Sequence, residues 1–248
     1  MADYDNRIMQ PGAATATATY DAGLRAHMLR VYNYMAGALA LTGVVAYVFA
    51  NSPALLNIIY QVSPQGVLAP TIAGWVVLLA PLALVFFLSF RIQQMSQSTA
   101  QLTFWGYAAL VGASLASIFV VYTSASIATT FFVTAATFGA MSLYGYTTKR
   151  DLTGFGNFLF MGLIGILIAM LVNIWLQSAA LNFVVSVLGV LIFTGLTAWD
   201  TQKIKQYYYA IGHDSVLIGK AAIMGALALY LDFLNIFLFL LRFMGDRR

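Results

Sequence analysis

The chain has 248 residues, of which 61% are hydrophobic and 8% charged, with a mean hydropathy of +0.85. This lies well above the roughly half-apolar composition of soluble domains and excludes a water-soluble globular fold. There is no cysteine, which removes disulfides, thiolate catalysis and cysteine-ligated metals, and the net charge of +4 is too scattered for a nucleic-acid surface.

In chain order, residues 1–22 are rich in Ala and Thr and hold no apolar run. They are expected to form a disordered cytoplasmic tail rather than a cleavable signal peptide. Residues 23–248 are expected to form one transmembrane domain. Arg25, His27 and Arg30 precede the first apolar run, at 31–50. Further runs follow at 71–90, 104–122, 127–146, 157–176, 180–199 and 221–241. Each has about the 20 residues that span a bilayer as a helix, and none alternates as an outer-membrane strand would. The fold class is therefore an all-α integral membrane protein with a seven-transmembrane-helix bundle.

Lys and Arg alternate between successive connections. Arg7, Arg25 and Arg30 lie before the first run, Arg91 after the second, Lys149 and Arg150 after the fourth, and Lys203, Lys205 and Lys220 after the sixth. The other connections have none, which predicts a cytoplasmic N-terminus. Arg242, Arg247 and Arg248 break the pattern. Either they follow the last run across, or that run re-enters without crossing; its 21 positions are long enough to cross.

Every acid in the chain is Asp, and Asp232 sits alone within the last run. A carboxylate at mid-bilayer depth costs about 2.5–3.5 kcal/mol on insertion scales, which marks it as a functional candidate. Asp232 shares a helical stripe with Gly225, Ala228 and Asn235, small or polar residues that turn toward other helices. Asp200 closes the sixth run on a stripe with Phe193, Thr197 and Ile204, and the following segment to Tyr209 has no Pro or Gly to stop the helix. Asn235 and Thr197 are the candidate pore-lining partners. Two carboxylates close together in a low-dielectric interior would share a proton and titrate as a unit. Such a pair suits a pH-sensitive latch, a transient cation site or a proton relay, with Arg91 as a cation able to hold it closed.

The segment Ala228-Leu229-Tyr230-Leu231-Asp232-Phe233-Leu234-Asn235-Ile236-Phe237-Leu238 resembles the last-helix signature of the Bax inhibitor family. Leu196-Thr197-Ala198-Trp199-Asp200-Thr201-Gln202-Lys203-Ile204 resembles that family's Tyr-Asp-Thr-Gln-type motif, with Trp199 in the aromatic position. His27-Met28-Leu29-Arg30-Val31-Tyr32-Asn33-Tyr34-Met35 is similar to bacterial members. The resemblance implies a seven-helix bundle with the last helix central, in a bacterial inner membrane. It implies a pH-sensitive calcium leak channel in which Asp200 and Asp232 form the proton-sensitive pair and Arg91 the latch. Calcium would then be the transported ion, held weakly and transiently by Asp200 and Asp232, and no cofactor is expected. Calcium takes about 6–8 oxygens, so two carboxylates make a weak site suited to passage.

Two other classes compete. One is a regulator of membrane-protein quality control that binds a membrane protease or other membrane-protein partner through its tail. The other is an intramembrane aspartyl protease, disfavoured because Leu229-Tyr230-Leu231 precedes Asp232 where those enzymes carry Gly-x-Gly, and because no Pro follows Pro81. A serine protease of the membrane would need a histidine within the runs, and His27 and His213 both fall outside them. His213-Asp214 offers too few groups for a metal. Gly162 and Gly165 are expected to permit close helix packing. The chain is not expected to be an enzyme.

Overall fold

The computed structural model describes the backbone of residues 11–62, 68–212 and 214–248, and the side chains of 22–61, 69–212 and 214–248. Seven of its helices are long and apolar enough to cross a membrane. Helix α1 (Pro11–Asn51) leads into a short α2 (Pro53–Ile59) and a two-stranded antiparallel hairpin, β1 (Tyr60–Val62) and β2 (Leu68–Pro70). Then come α3 (Ile72–Arg91), α4 (Gln97–Ser114), α5 (Ala116–Val121), α6 (Ser124–Thr147), α7 (Thr153–Leu176), α8 (Ala179–Ile211) and α9 (Ser215–Met244). The third span consists of α4 and α5, separated at Leu115.

The helices outrun the apolar segments because hydropathy and backbone hydrogen bonding end at different places. Helix α8 continues past Asp200 to Ile211, as the lack of breakers predicted. Helix α1 begins at Pro11, before the expected tail boundary at residue 22. Pro is well tolerated at a first helical position, and the Ala-rich stretch behind it favours a helix. Residues 1–10 and His213 lie outside the described residues. His27, expected outside the first span, belongs to it: the span runs Ala22–Asn51, and the side chain is buried on the face that carries Leu24, Met28, Val31, Met35 and Ala38.

Helix α9 is the most enclosed span, with 67% of its most apolar window buried against 11–39% for the others. It packs against α8, α1, α6 and α4. Its Leu227, Tyr230, Phe233 and Phe237 meet Val31 and Met35 of α1, Phe104 and Tyr107 of α4, and Phe138 of α6. Further along, Ile236 and Phe239 join Leu159 and Ile166 of α7 with Val185, Phe193 and Leu196 of α8. The outer helices show the reverse: α3 exposes Val76, Leu79, Leu82 and Phe86, and α7 exposes Phe158, Ile168 and Leu171. Large apolar residues pointing outward suit acyl chains.

The last helix ends on the face opposite to its start. Near its beginning, the Lys220 ammonium donates to the Gln93 carbonyl at 2.9 Å, beside the end of α3. At its other end, the Arg248 amide donates to Val121 at 2.9 Å and Tyr122 pairs with Arg247, beside the start of α6. The final run therefore passes from one end of the bundle to the other, the course expected of the reading in which it crosses.

Helix contact is closest through glycine, though not at both expected positions. A side chain at Gly162 would press on Ile192, whereas Gly165 faces open space. The tight crossings are at Gly145, where a Cβ would strike the Ala198 backbone, and at Gly156, against the Trp199 ring. Both brace α8 next to Asp200.

Candidate functional site: an aspartate pair beneath a cavity

Asp200 on α8 and Asp232 on α9 face each other, and their carboxyl groups are hydrogen-bonded. The stripe reading of α9 accounts for the approach: Gly225 lets α9 lie against Ile204 of α8, and a Cβ there would sit 3.1 Å from the Ile204 side chain. The two acids occupy different depths. Asp232 is 4% exposed, and its Oδ2 is enclosed without a protein hydrogen-bond partner. Asp200 is half-buried and lines a cavity of about 340 Å³.

The cavity is built from four helices. His27 comes from α1, Ser89 from α3, Asp200, Lys203 and Tyr207 from α8, and Lys220 with Gly225 and Ala228 from α9. Ala228 is one helical turn above Asp232. The cavity thus reaches Asp200 directly and stops one turn short of the buried acid. Past that point, Ile236 and Phe239 close the packing against α7 and α8.

The other sequence candidates lie apart from this pair. The Arg91 guanidinium is exposed at the end of α3 and donates to Gln94 Oε1 at 3.1 Å. The reason is positional: a cation in the last turn of a helix finds both solvent and the carbonyl end of the helix dipole. Lys203, one turn along α8, is the cation whose charge acts on Asp200, and its ammonium lies 4.8 Å over the Trp199 ring. Thr197 Oγ1 donates to the Phe193 carbonyl at 2.8 Å, and Asn235 Nδ2 to the Leu231 carbonyl at 2.8 Å. Both polar groups are satisfied within their own helix, a common solution for such residues in lipid, and neither lines the cavity.

Residues not singled out from sequence also shape the site. His27 is 3% exposed, lies 5.0 Å from the Tyr208 ring, and has neither ring nitrogen hydrogen-bonded to protein. Gln202 fixes the α6–α7 connection to α8: its Nε2 donates to the Arg150 carbonyl and its Oε1 accepts from the Leu152 amide, both at 2.8 Å. Ser142 of α6 joins Tyr32 of α1 at 2.6 Å and Thr201 of α8 at 3.0 Å. Among the described residues no cluster of three or more His or Asp side chains could hold a metal ion.

The family model described as "Inhibitor of apoptosis-promoting Bax1" matches residues 24–248. The chain is 51% identical to the inner membrane protein YbhL of Escherichia coli K12 over 230 residues, covering 92% of this chain and 94% of that one. It is 50% identical over 232 residues to a protein of Rickettsia prowazekii, covering 93% of each chain. It is 46% identical over 236 residues to one of Caulobacter vibrioides, covering 95% of this chain and 94% of the relative. With this match spanning all seven helices and both aspartates, the chain belongs to the Bax inhibitor family.

Proposed function

We propose that the protein is a pH-gated cation leak pathway of the bacterial inner membrane, with Asp200 and Asp232 as the proton-sensitive gate and calcium as the transported ion. The observation that carries the reading is the hydrogen bond between two carboxyl groups on different helices, one enclosed and the other open to a cavity. Such a bond needs a proton on one of its two acids. Removing that proton sets two like charges at contact distance in a poorly solvated interior. The pair then separates, drawing α8 from α9, or takes up a cation. Protons and cations therefore compete for one position, and the closed packing at Ile236 and Phe239 corresponds to the protonated state.

The pair supplies few oxygens, so calcium is held weakly and passes on. Lys203 and Lys220, the two lysines lining the cavity, oppose entry, which keeps the flux a leak. Arg91 acts as a latch only if α3 moves its end toward α8. The Lys and Arg count supports a cytoplasmic N-terminal face: Arg25, Arg30, Arg91, Lys149, Arg150, Lys203, Lys205 and Lys220 lie at the ends of spans on that side, against Arg242, Arg247 and Arg248 on the other. The name of the Escherichia coli relative agrees with an inner-membrane location.

The test is calcium flux into proteoliposomes across pH 5 to 8. Wild-type protein changes its flux with pH, and the Asp200→Asn, Asp232→Asn double variant loses that response. Equal flux with an equal pH response in the double variant would rule the gate out.

A further inference from the structure

The imidazole of His27 is enclosed by protein, yet neither Nδ1 nor Nε2 has a protein partner. A buried polar group without a partner costs about 1–3 kcal/mol, so some other group satisfies it. The cavity it lines has room for several waters at about 30 Å³ each. On the same cavity wall is Asp200, whose carboxyl is bonded to Asp232. We propose that His27 is a third proton-binding site, charge-coupled to Asp200 across the cavity, through which protons reach the aspartate pair. This rests on the proton-sensitive reading of the pair and adds a residue to it.

Burial and the surrounding charges decide how His27 behaves. From α1 itself the Arg30 charge acts on it; from α8 come Asp200, Lys203 and Tyr207, with the Tyr208 ring tilted beside the imidazole; from α9 comes Lys220; Ser89 of α3 and Gln93 just after it do not ionise. Burial and these three cations oppose an imidazolium, and among the described residues lining the cavity Asp200 is the one anion that favours it. In this proposal the imidazole takes up a proton more readily while Asp200 carries its negative charge, and gives it up as Asp200 becomes an acid. The step moves one proton from an imidazolium nitrogen, through water, to a carboxylate oxygen. It leaves a neutral imidazole and a carboxylic acid, with no change of oxidation state. A group that gives up its proton when its neighbour gains one is a relay rather than a sink.

The chain has only two histidines, so His213→Gln leaves His27 as the sole imidazole. In full-length His213→Gln protein labelled on histidine, magnetic resonance follows the His27 ring directly as pH is varied. We expect a one-proton transition between pH 4 and 8 whose midpoint shifts by about half a pH unit or more on adding Asp200→Asn, the size expected for losing a neighbouring charge. We also expect calcium flux through the His27→Gln variant to respond less steeply to pH. No transition in that range, the same midpoint after Asp200→Asn, or a His27→Gln flux profile superimposable on wild type would each overturn the proposal. Because the resonance arm needs no flux, a moved midpoint alongside unaltered flux in the double aspartate variant means the gate reading fails while the coupling stands.

Discussion

Trp199 lies with its indole over Gly156, so that α7 touches α8 at the residue next to Asp200. A Cβ added to Gly156 would strike the Cγ and ring carbons of that indole, a rigid group that would have to shift as a whole. We expect Gly156→Ala to lower stability by about 1–3 kcal/mol, the range for overpacking a tight contact. Gly165, on the same helix, has no heavy atom near a built Cβ, so Gly165→Ala should be neutral or stabilising by up to about 1 kcal/mol. Thermal unfolding in detergent compares the two, and equal losses would show that the Trp199 contact is not the cause.

Tyr230 and Thr42 are joined by a buried hydroxyl pair at 2.6 Å. Thr42 Oγ1 also donates to the Ala108 carbonyl at 2.8 Å. A threonine has one hydroxyl proton, so Tyr230 must be the donor to Thr42. The two substitutions are therefore unequal. Tyr230→Phe removes a donor and leaves Thr42 bonded to Ala108. Thr42→Val strands the Tyr230 O–H inside the bundle and costs about 1–3 kcal/mol, the larger loss. Adding Tyr230→Phe to Thr42→Val should recover part of that stability, and a double-mutant cycle of unfolding midpoints reads the recovery.

That pair spans 188 positions in sequence, and its kind is what helical spacing cannot show. Periodicity places Asp232 on the inward stripe of α9 and Asp200 on that of α8, and both face inward. It says which way each helix face points, and motif resemblance links the two faces. It does not measure the register between them, nor show that Asp200 opens to a cavity while Asp232 lies a turn deeper. His27 is hidden for a simpler reason: the first continuous apolar run begins at Val31, whereas the span begins at Ala22. The burial stripe starts at Leu24 with the same three-to-four spacing, and His27 lies on it. Arg91 lies apart from the pair in this structure, because being near the end of a span says nothing about the direction of a long, flexible side chain.

Asp151 stands before α7, outside the spans, and is fully exposed. The Thr153 hydroxyl and amide both donate to it, at 2.6 and 2.9 Å, and hold its carboxyl below the usual carboxylate range. The folded state therefore binds this proton less readily than the unfolded chain. Its contribution is present above the unfolded pKa and lost as pH falls through the folded one. The start of α7 should lose amide protection at Thr153 below about pH 4, and Asp151→Asn should remove that acid-side change.

The Asp200–Asp232 bond makes a stability prediction that needs no ion flux. Asp232 is enclosed with one oxygen unpartnered, so a second negative charge at the pair meets little solvation and a like charge across the contact. Asn has nearly the shape of a protonated Asp and carries no charge at any pH. Asp232→Asn should therefore alter stability little while the pair holds its proton, and raise it by about 1–3 kcal/mol once that proton is lost, so we expect the larger gain at pH 8 than at pH 5. Unfolding midpoints of the two proteins in the same detergent, taken across that range, should diverge as pH rises. Parallel curves would mean that the carboxyl pair does not change its proton content in this interval, and the gate would lose its physical basis.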